Sequence, residues 1–255
     1  MAIQQSKIFL KTFPEAKSIV VSGDIHGDFN ELVFKMCEQY QMKDTLLIVA
    51  GDCGFGFEKP GYYENMVRKN TRRMSAANNW IVFVRGNHDN PAYFDGHTFY
   101  HKRFLAVPDY AVIQACSHNI LCVGGAISVD RQYRLDRKPH DKEIYWENET
   151  PVFDAEKLEA ISQSFKLDTV VTHSAPSFCE LTTKLGLSNW TMYDETLEDD
   201  VAHERHVMDE IYTSLKQNQH PLRHWYYGHF HQSWRSSIDG IMFKMLDIME
   251  FCEVN

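Results

Sequence analysis

The sequence contains no apolar run near the ~20 residues that a membrane-spanning helix requires, so no transmembrane segment is expected. Its opening stretch, MAIQQSKIFLKTFPEAK, has no long apolar segment and no small-residue cleavage site, so no signal peptide is read there. Six cysteines are present, at positions 37, 53, 116, 122, 179 and 252, but none form a CxxC pair. Scattered thiols in a 255-residue chain point to a reduced, cytoplasmic protein rather than a disulfide frame. Basic residues are in deficit, 26 against 35 acidic, giving a net charge of -9. That balance argues against broad nucleic-acid binding, yet leaves phosphate ligands open because bound cations reverse a local field. There is no GxSxG nucleophile elbow and no GxxxxGK[S/T] phosphate loop. No internal repeat, low-complexity stretch or linker divides the chain. With 44% hydrophobic and 24% charged residues, residues 1–255 read as one globular domain.

The first ninety residues alternate strand and helix. Residues 18–21, 46–50 and 81–84 are short apolar runs, and runs apolar on both faces fit a buried sheet covered on each side. Between them, Phe29, Leu32, Val33, Met36, Cys37 and Tyr40 recur at helical spacing, as do Tyr62, Tyr63, Met66, Val67 and Met74. Asp28 followed by Glu31 resembles a capping box. Further strands are expected within 104–127 and at 168–172, 224–227, 233–238 and 241–246, the last two joined by an Asp239-Gly240 hairpin turn. Helices are expected after Asp154, through Leu158, Ile161 and Phe165, and over 199–216. Residues 130–150 read as a loop. The expected architecture is a βαβαβ half followed by a mixed half, with stacked sheets and outer helices.

Five of the apolar runs end in polar motifs. These are Gly23-Asp24-Ile25-His26-Gly27, Gly51-Asp52-Cys53-Gly54, Gly86-Asn87-His88-Asp89, Thr172-His173 and Gly228-His229-Phe230-His231. Strand ends in open α/β sheets converge on one crevice, so the five motifs predict a single site. Aspartate, asparagine and histidine offer oxygen and nitrogen donors without thiolate, a mixture suited to borderline divalent ions such as manganese, iron or zinc. Glycine beside each donor lets the backbone turn sharply and approach an ion. Seven donors exceed the needs of one ion once water and substrate are counted, so two ions sharing a carboxylate are expected.

The ordered set GDIHG, GDCG, GNHD, TH and GHFH resembles the motifs of the calcineurin-like metallophosphoesterases across residues 23–231. The resemblance implies an α/β fold, a four-layer α/β/β/α sandwich of two mixed sheets with outer helices, built around two divalent ions. Manganese is the first choice, with iron, zinc or magnesium as alternatives. It implies that Asp24, His26, Asp52 and His231 hold the first ion. Asp52 bridges to the second, which Asn87, His173 and His229 complete. His88 would be the catalytic histidine near the leaving group, oriented by a hydrogen bond to Asp89. Residues 124–131 also resemble a stretch of uncharacterised bacterial and phage-type members. The sequence departs from the protein Ser/Thr phosphatases, which carry GDxVDRG where this chain reads Gly51-Asp52-Cys53-Gly54-Phe55-Gly56, and Glu where this chain has Asp89.

The implied activity is hydrolysis of phosphomonoesters or phosphodiesters by a water activated between the ions, with His88 protonating the leaving oxygen. The substrate would be a phosphorylated small molecule, a nucleotide or a protein. A protein phosphatase, a nucleotide polyphosphate hydrolase and a non-catalytic scaffold of the same fold are the competing readings. Arg131 and Arg134, just past the Gly124-Gly125 turn, are candidate substrate contacts. Arg85 is read as structural. His203 and His206 lie on an acidic helix read as a solvated face together with Glu204. His97, His101, His118, His140, His220 and His224 have no motif partner and no assigned role. The aromatic-rich segments 130–150 and 177–200 are expected to wall the site or to pack.

Overall fold

The computed structural model describes residues 8–137, 144–179 and 187–255. Along the chain run β1 (Leu10–Thr12), β2 (Ser18–Ser22), α1 (Phe29–Phe34), β3 (Thr45–Ala50), α2 (Tyr62–Ala76), β4 (Trp80–Val84), β5 (Phe104–Ala106), β6 (Ala111–Ala115) and β7 (His118–Val123). There follow α3 (Arg131–Asp136), α4 (Ala155–Ser164), β8 (Thr169–Thr172), α5 (Leu187–Thr191) and α6 (Leu197–Gln217). The chain closes with β9 (His224–Tyr227), β10 (Trp234–Ile238), β11 (Ile241–Met245) and β12 (Phe251–Glu253).

The strands form two mixed sheets, in the orders β12-β2-β3-β4-β5 and β1-β6-β7-β8-β9-β11-β10. β2, β3, β4 and β5 are parallel, as are β7, β8 and β9, so their C-terminal ends lie along shared edges. Strand alternation divides the apolar residues between layers. In β3, Leu46, Ile48 and Ala50 face the core between the sheets, where Ile113, Ile120, Val171 and Tyr226 of the other sheet meet them. Leu47 and Val49 face outward onto Phe29, Leu32 and Val33 of α1 and Met66 and Met74 of α2. In the second sheet Leu121, Val170, Trp225 and Tyr227 turn to Leu158 and Ile161 of α4 and Met208, Ile211 and Leu215 of α6. The expected α/β/β/α layering is therefore present. Each of the doubly covered strands must be apolar on both faces, and this produces the continuous runs.

Some expectations need correction. α1 stops at Phe34, and Lys35–Gln39 form a π turn that delivers Tyr40 to the chain reversal. Asp28 makes no side-chain cap bond; its main-chain carbonyl accepts from Leu32 N at 3.0 Å instead. Residues 130–150 are not all loop, since they contain α3. Asp154 does cap α4, its Oδ1 accepting from Lys157 N at 2.9 Å. The Asp239-Gly240 hairpin forms, with φ of 51° and 79°, the left-handed pair that a two-residue turn demands.

The outer core under the first sheet centres on Phe55, three residues beyond Asp52. Its ring touches Phe29, Tyr63, Phe83, Tyr93, Phe94 and Phe99 at centroid separations of 4.8–5.5 Å. Four of these pairs are edge-to-face, a geometry that adds to simple area burial. Phe55→Ala is expected to lower stability by about 3–5 kcal/mol, measured by urea unfolding.

Candidate metal centre

The ligand-bearing loops leave their strands by abrupt left-handed steps. His26, Asp52, His229 and His231 all have positive φ, at 44°, 45°, 70° and 50°. Backbone in this region costs of order 1–3 kcal/mol per residue for a non-glycine side chain and concentrates at functional sites. Two neighbouring glycines make room for the carboxylates. A Cβ on Gly86 would lie 2.2 Å from Asp52 Oδ1, and one on Gly228 would lie 2.1 Å from Asp24 Oδ1. The loops are stitched to one another, once within a sheet and once between the sheets. His88 N donates to Asp52 Oδ1 at 2.7 Å, and His229 N donates to Asp24 Oδ1 at 3.0 Å.

These steps bring all seven predicted donors together. Asp24, His26, Asp52 and His231 offer ligand atoms within 4.8 Å of one another. His231 Nε2 lies 3.0 Å from both Asp24 Oδ2 and His26 Nε2. On the other side of Asp52, His173 Nε2 lies 3.2 Å from Asp52 Oδ1 and 2.9 Å from Asn87 Oδ1. The His229 ring stands 4.9 Å from that of His173. Asp52 thus borders both groups. His173 Nδ1 donates to the Ala50 carbonyl at 2.8 Å, which turns Nε2 toward the two oxygens.

The electrostatics fit cations. Two oxygens, Asp52 Oδ1 and Asn87 Oδ1, converge on His173 Nε2, an arrangement that positive charge stabilises, whether from a proton on the ring or from a bound ion. Burial opposes a charged His173, but Asp52 and Asp24 pull it up to about 9. Burial likewise opposes a charged Asp52, yet His173, His88 and His26 hold it well below the usual carboxylate range. His229 is pushed well down, first by burial and then by the charge on His173, so it offers a neutral nitrogen. The adjacent Cys53 is no donor to the cluster: its thiol points to the Val84 carbonyl at 3.2 Å, and burial drives it well up. Oxygen and nitrogen donors without sulfur suit manganese, iron, zinc or magnesium.

His88 stands beside the donors, with Nδ1 3.9 Å from Asp52 Oδ2 and Nε2 3.0 Å from Arg134 Nη2. Burial, reinforced by Arg134, lowers its pKa. Asp89 does not orient this ring. Its carboxylate turns beneath the loop and accepts from the main-chain N–H groups of Cys53, Gly54, Phe55 and Gly86 at 2.8–2.9 Å. Burial and then the charge of Asp52 push Asp89 up to about 7.

The two arginines of the 130–137 region have different surroundings. Arg131 is engaged by acidic partners: Nε meets Asp194 Oδ2 and Nη2 meets Asp200 Oδ2, each at 2.5 Å. It joins α3 to the start of α6 and does not match the expected substrate contact. Arg134 is held by Asp130 at 2.8 Å and points Nη2 at His88. Arg85 is structural, binding Asp109 and the carbonyls of residues 148–150. His203 and His206 are exposed, but Glu204 and Arg205 beside them are buried, which corrects the solvated reading of that stretch. Glu204 accepts from Ile127 N at 2.6 Å and from the Ser174 hydroxyl. His118 pairs with Asp168, and His220 with Ser162 and Leu167 N, so both serve the fold. His140 lies outside the described residues, as do residues 138–143 and 180–186 of the two expected wall segments.

Sequence reasoning missed Ser128 and Glu149. Asn87 Nδ2 donates to Ser128 Oγ at 2.9 Å, and Ser128 donates to Glu149. The Gly124-Gly125 stretch was the only sequence signal near them.

Asp89→Asn tests the loop-holding role. One face of the amide would present N–H groups to two main-chain donors. A loss of about 3 kcal/mol or more is expected in urea unfolding of the metal-free protein. Unchanged stability with reduced turnover would instead tie Asp89 to the His88 ring.

A search among curated protein sequences finds no match. Among solved structures, TT1561 of Thermus thermophilus superposes with a TM-score of 0.52 at 12% identity, covering 94% of this chain and 99% of that one. A dimetal phosphatase from Danio rerio superposes with a TM-score of 0.51 at 10% identity, covering 92% of this chain and 88% of that one. These likenesses establish the shared sandwich fold. The sequence itself matches the calcineurin-like phosphoesterase profile over residues 17–233, which takes in every donor of the centre. The chain therefore belongs to the calcineurin-like phosphoesterase family.

Proposed function

We propose that this phosphoesterase hydrolyses phosphomonoesters or phosphodiesters at a centre of two divalent ions, with manganese the first choice and iron, zinc or magnesium as alternatives. The observation that carries the reading is the gathering of six oxygen and nitrogen donors around a seventh, the buried Asp52 that borders both groups. Asp24, His26, Asp52 and His231 would hold one ion, and Asp52, Asn87, His173 and His229 the other. When bound, the ions supply Lewis acidity that activates water as nucleophile and neutralises charge on the phosphoryl oxygens.

The chain's own residues supply the rest. His88 holds a proton toward the leaving oxygen, its main chain fixed by the bond to Asp52. Arg134 extends Nη2 into the same space and binds a phosphate oxygen; Asp130 steadies its Nε. No helix among the described residues is long and apolar enough to cross a membrane.

The test is a panel of phosphomonoesters and phosphodiesters offered to metal-stripped protein with manganese, iron, zinc and magnesium added in turn. Ion-dependent hydrolysis is expected, abolished by chelation. A protein that binds ions yet cleaves no phosphoester would overturn the reading. His88→Ala is expected to keep both ions. Turnover of an alkyl phosphate should fall ~10²-fold or more, and that of a nitrophenyl phosphate far less, because a good leaving group needs no proton. A uniform loss across leaving groups would remove His88 from the acid role.

A further inference from the structure

Asn87 presents a problem of orientation. Its side chain has an oxygen that can bind a cation and an NH2 that cannot, and the two ends have nearly the same shape. Oδ1 lies 2.9 Å from His173 Nε2, and Nδ2 lies 2.9 Å from Ser128 Oγ. The Ser128 hydroxyl donates to Glu149 Oε2 at 2.5 Å, while Ser128 N donates to Glu149 Oε1 at 2.8 Å. A hydroxyl has one proton. Once it is given to Glu149, Ser128 offers Asn87 only a lone pair. The NH2 of Asn87 must then face Ser128, and its oxygen must face His173 and Asp52.

Water has little access to this chain of bonds. Ser128, Asn87 and Glu149 are exposed by only 2%, 4% and 0%. Glu149 is itself fixed, since its carbonyl accepts from Arg85 Nη1 at 2.6 Å and from Ala126 N at 3.2 Å. Burial lifts its carboxyl to about 8 against the two Ser128 bonds and Arg131; ions bound at the centre would add their charge to those bonds in favour of the ionised form.

We propose that Glu149 and Ser128 are positioning residues for the ion at Asn87: the buried carboxylate sets the direction of the Ser128 hydroxyl, and the hydroxyl selects the metal-binding face of the amide. This rests on the two-ion reading above. Groups behind a ligand commonly change metal affinity by about 10–100-fold.

The experiment is calorimetric titration of manganese into the metal-stripped protein, its Glu149→Gln, Ser128→Ala and Asn87→Asp variants, and the double variant Asn87→Asp with Glu149→Gln. Glutamine keeps the size of Glu149 but can donate to Ser128 Oγ, which frees the hydroxyl proton to face Asn87. Glu149→Gln is expected to weaken one of two sites about 10–100-fold, leaving the other site and the melting temperature of the metal-free protein close to wild type. Ser128→Ala should weaken the same site. An aspartate at 87 has two equivalent oxygens, so in that background Glu149→Gln should change affinity little relative to Asn87→Asp alone. Undiminished binding of both ions by Glu149→Gln, or an equal loss in the aspartate background, would overturn the inference. Should Ser128→Ala not fold, the glutamine pair decides. Wild-type protein binding fewer than two ions would refute the two-ion reading itself, a distinct result.

Discussion

Asp24 and Asp52 place two carboxylates at the ends of adjacent parallel strands with almost no access to water, and this buried negative charge constrains everything around it. An unpaired buried carboxylate is far too costly to persist, so each must be met by donors or cations. The main chain answers part of the demand. Asp24 accepts from His229 N and Asp52 from His88 N, and each of these bonds joins a carboxylate to a loop from another strand. The remaining charge is faced by imidazoles, and His173 is drawn toward its protonated form for that reason. A pair of divalent ions satisfies the same demand with more charge and in fixed positions.

Meeting that demand imposes strain. Four of the donors sit in left-handed backbone, a cost that would unfold an isolated loop. The loops hold because each begins at the end of a strand sealed on both faces, in β3 by Leu46, Ile48 and Ala50 inward and Leu47 and Val49 outward. Asp89 adds a second restraint by gathering four main-chain N–H groups from the loops after β3 and β4. A carboxylate in that position substitutes for the turn of a helix, satisfying donors that the sharp bend leaves without partners.

The rim of the centre is organised by charge of the opposite kind. Arg131 is bound between Asp194 and Asp200, so α3 is tied to the first turn of α6. Beside this junction Tyr133 of α3 meets Trp190 of α5, ring centroids 6.4 Å apart. Three residues on, Arg134, paired with Asp130, faces His88 rather than Asp194 and Asp200. One short helix thus presents an anchoring arginine to the acidic helix start and a second arginine to the space where a phosphate would sit.

Much of this was legible in the sequence because the information is local. A strand covered on both faces must be apolar throughout, and Leu46–Ala50 displays that directly. A donor at a strand end needs a glycine beside it, and Gly51-Asp52, Gly86-Asn87 and Gly228-His229 display that too. The short edge strands β1 and β12 left no pattern, since three residues cannot establish a period of two. Asp89, Arg131, Glu149, Glu204 and Arg205 were the residues whose surroundings could not be read in advance. A charged side chain has the same identity whether it is solvated or buried. Its partners come from elements tens of residues away: Cys53 for Asp89, Asp194 for Arg131, Ser128 for Glu149 and Ile127 for Glu204. The sequence by itself determined which atoms were available to bind cations and which strands would carry them. Only the tertiary structure decided which charges support those atoms, because burial and pairing are set by the packing of distant segments and not by neighbours in the chain.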